Sequence, residues 1–106
     1  MTADYRPILE IERLIHEPAR LVIMALLYAV ESADFVFLLQ ETGLTKGNLS
    51  SHLAKLEQAG YITVEKTFRG KYPYTLYRQT DTGRAAFQAY QNGLRRILEA
   101  MDGNTE

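Results

Sequence analysis

Cysteine is absent from the 106 residues, which excludes disulfide staples, thiolate zinc sites, iron–sulfur clusters and a cysteine nucleophile. Histidine is scarce, at two well-separated residues, so no metal or other cofactor is expected. Long hydrophobic runs are missing too. The longest, Leu21 to Val30, falls short of the roughly 18 apolar residues of a membrane span and reads as a buried core helix. The first residues, Met-Thr-Ala-Asp-Tyr-Arg, lack the basic-then-apolar pattern of a secretory signal, which points to the cytoplasm. Glycine-rich phosphate loops, the HExxH pattern and carboxylate clusters are missing as well. Ser50, Ser51 and His52 are adjacent, but neighbours on a helix point in different directions, so they form no catalytic arrangement. No enzyme is expected. Repeats and Pro/Gly/Ser linkers are also lacking, and 12.1 kDa suffices for one core, so residues 1–106 read as a single domain.

Charge of one sign is not in excess, the net value being −1, but it is unevenly placed. Between Leu44 and Arg84 there are seven basic residues against three acidic ones, while the rest of the chain carries five against ten. A chain divided in this way can turn a basic face toward a polyanion while its other parts remain acidic.

Periodicity supplies the elements. Ile8, Ile11, Leu14 and Ile15 fall on one stripe of a helix over 7–15, which His16-Glu17-Pro18 interrupts. Pro18 suits the first turn of the next helix, which is apolar nearly all round to about Val30. Asp34-Phe35-Val36 reads as a very short strand or as the entry to a short helix that Gly43 closes in the left-handed conformation. Thr45 is an N-cap for a helix over 45–59. Beyond Gly60 the period becomes two. Tyr61 to Phe68 and Tyr74 to Gln79 form a hairpin around the loop 69–73, and Thr80 caps a last helix over 81–101. The fold class is mainly α with a small β-hairpin.

Two short helices joined by a tight turn and followed by a hairpin make a helix-turn-helix, over 36–59, with a wing over 61–79. Leu49, Leu53 and Leu56 form one stripe of the second helix, and Asn48, Ser51, His52 and Lys55 form a polar stripe beside it. Gly47, Ser51 and Ala54 leave the face opposite the leucines nearly free of bulk. Such a helix can enter a groove about 12 Å wide. Asn48 can bond adenine in bidentate fashion, Ser51 and His52 can donate or accept, and Lys46 and Lys55 lie where phosphates would pass. The wing tip, within 67–74, holds Arg69, Gly70, Lys71 and Tyr72, suited to phosphates or a minor groove. A winged helix without DNA binding, used for protein–protein contact, is the alternative. The small polar face argues against it, because protein-binding helices more often expose aromatic or aliphatic anchors.

The stretch from Leu44 to Leu53 and that from Leu56 to Ile62 resemble the recognition-helix signature of small winged-helix transcriptional regulators of bacteria and archaea, akin to the MarR and ArsR groups. Ile15 to Leu21 is similar to the start of their first core helix, and Tyr77 to Arg84 to their exit from the wing. Gln79 departs from the pattern, which usually has an apolar residue there. The resemblance implies a homodimeric repressor bound to an inverted-repeat operator of double-stranded DNA. It places Lys46, Asn48, Ser51 and His52 near bases or adjoining phosphates, with Arg69 and Lys71 in the wing; Thr45, Ser50, Lys55 and Tyr72 complete the candidate DNA-binding set. ArsR-type metal sensing does not carry over without cysteine.

The last helix repeats Phe87, Tyr90, Leu94, Ile97, Leu98 and Met101 at a mixed spacing of three and four, a long apolar seam. With Ile8, Ile11 and Ile15 of the first helix, it forms a candidate dimer interface over 1–15 and 85–101. Packing within one chain is the other use of these stripes.

Overall fold

Pro18 lacks an N–H and so costs nothing at the start of a helix, where that group has no partner. In the computed structural model, which describes residues 6 and 11–103, it opens α1 (Pro18–Ala29). Glu17, extended as a residue before proline tends to be, caps this helix by accepting the Arg20 N–H at 2.8 Å. Ile23, Met24 and Leu27 bury the inner side of α1, which touches α2, α3, α4 and the sheet and so forms the centre of the core.

The segment before α1 corrects the expectation of a helix over 7–15. Residues 11–17 form turns and bends, and residues 7–10, with Ile8, lie outside the described residues. Side-chain bonds explain the difference. Glu12 accepts the Ile15 N–H, and Arg20 donates to the Leu14 carbonyl, so groups that would continue a helix are satisfied locally. Ile15 is fully buried in the core of its own chain, with Ile11 and Leu14 half-buried against it.

β1 (Ala33–Asp34) is a two-residue strand, and Asp34 then caps α2 (Phe35–Thr42) by accepting the Phe37 N–H at 2.7 Å. Gly43, at φ 69°, closes α2 with its N–H on the Leu39 carbonyl at 3.1 Å. Two residues on, Thr45 accepts the Asn48 N–H at 3.2 Å and starts α3 (Lys46–Gln58). Leu49, Leu53 and Leu56 are its buried stripe.

β2 (Ile62–Arg69) and β3 (Tyr72–Gln79) pair along their whole length from Ile62↔Gln79 to Arg69↔Tyr72, and β1 adds to the far edge of β3 through Ala33↔Tyr77 and Asp34↔Leu76. The sheet order is therefore β1-β3-β2, all antiparallel. Its turn is only Gly70-Lys71, with Gly70 alone at positive φ, a geometry of the II′ class. Tyr72 and Pro73 thus belong to a strand and not to the expected loop. Pro73 is tolerated because β1 ends before reaching it and its missing donor faces an open edge.

Thr80 ties the end of the wing to its beginning. Its N–H donates to the Tyr61 carbonyl at 3.0 Å, its hydroxyl to the Gly60 carbonyl at 2.6 Å, and that hydroxyl accepts the Gly83 N–H at 2.9 Å. The first turn of α4 (Asp81–Gly103) is thereby held so close that a Cβ on Gly83 would lie 2.1 Å from the Tyr61 oxygen. Only glycine fits there. Gln79 packs under the wing in an unexpected way for a helix-facing position. Its amide donates to the Met24 carbonyl at 3.0 Å, while its buried oxygen has no partner among the described residues. No described helix is long and apolar enough to cross a membrane.

Candidate nucleic-acid interface

α3 turns its leucines inward, so helical geometry fixes what it shows outside. At about 100° per residue, Ser51 stands nearly opposite the centre of the leucine stripe, with Gly47, Asn48, Ala54 and Lys55 around it. All of these are exposed, as are Lys46 and Ser50. The face is small and polar, with the Lys55 cation near its far end, while Lys46 is exposed in the first turn to one side of it. Thr45 is exposed as well, but its hydroxyl is committed to the cap.

His52 parts from this face. It lies only about 70° from the centre of the leucine stripe, and its side chain is 19% exposed. Its Nδ1 is 3.2 Å from an Arg20 guanidinium nitrogen and 3.7 Å from the Glu17 carboxylate. Sequence reasoning misses Arg20 as a site residue, yet it is the sole charged residue in α1, and a single arginine in an apolar helix is the available signal. Burial is the largest influence on the Glu17 carboxyl and pushes its pKa up. The backbone N–H groups of Arg20 and Ala19 and the neighbouring positive charge outweigh it, leaving the value below the ordinary range.

The wing tip divides by face. Arg69, Tyr72 and Tyr74 share one side of the ribbon, and the Arg69 guanidinium stacks 4.4 Å over the Tyr74 ring while donating to its hydroxyl at 3.0 Å. Lys71 is exposed at the turn and Tyr72 is 78% exposed. The opposite side ends in Phe68 facing Pro73, and Phe68 is 70% exposed. Sequence reasoning misses Phe68 because strand alternation alone assigns it to the core side and does not tell where the core stops.

Pairing within the chain also thins the basic stretch. Arg78 lies 3.8 Å from Glu31 and 4.0 Å from Glu65, and Arg84 stacks 4.1 Å over Tyr28. The exposed cations left on α3 and the wing are Lys46, Lys55, Lys66, Arg69 and Lys71. These belong to the helix-turn-helix and the hairpin, where a duplex would lie.

The apolar seam of α4 does not act as one surface. Phe87 and Tyr90 are buried in the core with Ile15, Leu94 is half-buried against it, and the Tyr90 hydroxyl lies 2.8 Å from His16 Nδ1. Burial pushes the Tyr90 pKa up. Ile97 is buried, whereas Leu98 and Met101 are 51% and 48% exposed. Ile15, Phe87 and Tyr90 thus pack in their own chain's core, and of the candidate seam residues Leu98 and Met101 are the ones left exposed.

Known proteins share this geometry and sequence. An uncharacterised protein of Methanocaldococcus jannaschii is 36% identical over 78 residues, 74% of this chain and 85% of the relative. The solved structure of a transcriptional regulator homologue from Pyrococcus horikoshii OT3 superposes with a TM-score of 0.86 at 28% identity, covering 92% of this chain and 98% of that one. A regulator of the MarR family from Enterococcus faecalis V583 shares the fold, with a TM-score of 0.74 at 22% identity over 99% and 94% of the two chains. The model of the winged helix DNA-binding domain matches residues 19–98, and the chain belongs to that family.

Proposed function

We propose that the protein is a sequence-specific transcriptional regulator that binds double-stranded DNA as a homodimeric repressor. The outer face of α3 carries this reading, since it is exposed, nearly free of bulk and furnished with short polar groups beside Lys55. α3 lies in the major groove, where Asn48 matches both polar edges of adenine and Ser51 reads a neighbouring position directly or through water. The wing lies on backbone or minor groove. Two copies meet an inverted repeat whose half-site centres are about 34 Å apart or a multiple of that. Repression follows from occupation of the operator.

Binding-site selection with the wild type and with Asn48→Ala tests the reading. The wild type is expected to select an inverted repeat. Asn48→Ala is expected to lose about 1–3 kcal/mol on it and to relax one base pair in each half-site, with little change in non-specific affinity. Identical consensus sequences would remove Asn48 as a reader, and no consensus for the wild type would overturn the reading itself. Transcription in vitro from a promoter overlapping the selected site is expected to fall, and a rise would overturn repression.

A further inference from the structure

Arg20 is the one charged residue of α1. Its side chain is only 12% exposed, and a guanidinium has five donors and no acceptor. Three acceptors from different places meet it: the Leu14 carbonyl before α1, the Glu17 carboxylate at the cap of α1, and Nδ1 of His52 on α3. Because arginine can only donate, Nδ1 must accept. Arg20 and His52 together make a strut from α1 to the recognition helix.

The strut supplies what the leucines do not. Leu49, Leu53 and Leu56 hold α3 to the core by apolar burial and set which face turns outward, but that burial is non-directional and fixes the last degrees of rotation less finely than a directed contact. A hydrogen bond has a preferred distance and angle. On its open side the strut borders a cleft of about 400 Å³ between Pro18, Val22, Leu44 and His52, so no packed side chain takes over there if the bond is broken. Asn48 and Ser51 ride on the same helix, one turn and one residue before His52. A small rotation would move both against the base edges.

We propose that Arg20 is a positioning residue for operator recognition, which acts through His52 to fix the rotation of α3 and hence the base pairs that Asn48 and Ser51 address. This rests on the DNA-binding reading above. His52 then serves recognition from behind the interface, as a support and not as a reader.

The test uses the operator selected by the wild type and three variants of the full chain. Arg20→Met keeps length without donors, His52→Leu fills volume without an acceptor, and His52→Gln keeps an acceptor. Affinity for the operator is expected to fall about tenfold or more for Arg20→Met and His52→Leu, the size of effect left by an unpaired partner. Their consensus sequences are expected to broaden at the base pairs that Asn48→Ala also relaxes. His52→Gln is expected to restore binding to within about threefold, and the Arg20→Met/His52→Leu double variant to bind no worse than either single one. The melting temperature of the double variant is expected to hold or rise, because apolar replacement of both members of a buried polar pair is often neutral or stabilising, whereas each single variant leaves a partner unpaired and is expected to melt lower. A merely structural role would lower melting and binding together and leave the consensus sequence unchanged. The proposal is overturned if Arg20→Met binds the operator like the wild type. It is also overturned if His52→Gln loses as much as His52→Leu and both alter one separate base pair, for then His52 reads a base itself. Should Arg20→Met fail to fold, the contrast between His52→Leu and His52→Gln decides alone. A wild type that selects no operator fails at the earlier step, before any variant is compared.

Discussion

Single side chains in this protein often do two things, and their energetics can be separated. Glu17 caps α1 and also lies beside Arg20 and His52. Its lowered pKa means that the folded state favours the carboxylate, so this contribution is present above the unfolded value, near 4.5, and disappears as pH falls through the folded value. Glu17→Ala is therefore expected to cost about 1 kcal/mol at neutral pH, the usual worth of an N-cap, with the gap closing as the solution becomes more acid. Urea unfolding of both proteins at pH 7 and at steps below pH 4.5 checks this, and a constant gap would show that the charge is not its source. Gln79 is the converse case. Its bond to the Met24 carbonyl is accompanied by a buried oxygen without a partner among the described residues, which costs about 1–3 kcal/mol where no group answers it. Gln79→Met removes both and keeps the volume close. It is expected to raise the midpoint of unfolding, and a lowered midpoint would mean that the bond outweighs the unpaired oxygen.

Elements are legible in the sequence where a local signal and the tertiary contacts demand the same thing. Thr45, the leucine stripe and Gly43 define α3 and its turn, because cap, period and left-handed residue agree. The segment before α1 is not legible, because its apolar spacing suits a helix while Glu12 and Arg20 satisfy the backbone groups in another way. Pro73 reads as a loop residue because an open sheet edge is not visible locally. At the site, the exposed face of α3 follows from periodicity alone, but the inward turn of His52 depends on an arginine 32 residues away. The wing carries a prediction of its own. Arg69 is braced on Tyr74 and Lys71 stands at the turn, so both can meet phosphates without specifying sequence. Arg69→Ala with Lys71→Ala is expected to weaken binding on all duplexes by similar factors. For every phosphate no longer neutralised, the slope of log affinity against log salt is expected to flatten by about 0.9. Anisotropy titrations at several salt concentrations measure it, and an unchanged slope would take the wing off the backbone.

The whole molecule is long for its size. Its extents are 64 × 26 × 20 Å and its radius of gyration is 16.5 Å, against about 13 Å for a compact chain of this length. α4, at 23 residues, is about 35 Å long, and its first half packs on the core through Phe87, Tyr90 and Leu94. Near its far end Leu98 and Met101 remain half-exposed, three residues apart and so on one side of the helix. An exposed apolar strip at the end of a projecting helix gains by meeting its own copy, since a two-fold axis places the same strip on both sides of the contact. The proposed dimer therefore rests on Leu98 and Met101, with Ile15, Phe87 and Tyr90 kept for the core. Sedimentation at micromolar concentration is expected to give about twice the 12.1 kDa chain mass. Leu98→Glu with Met101→Glu is expected to give the monomer mass with unchanged helix content, because neither side chain belongs to the core cluster. The same variant is expected to lose affinity for an inverted repeat while keeping that for a single half-site, since joining two half-site contacts gains by effective concentration. A variant that remains dimeric would move the interface elsewhere. A wild type that sediments as a monomer while binding the inverted repeat tightly would overturn the dimer.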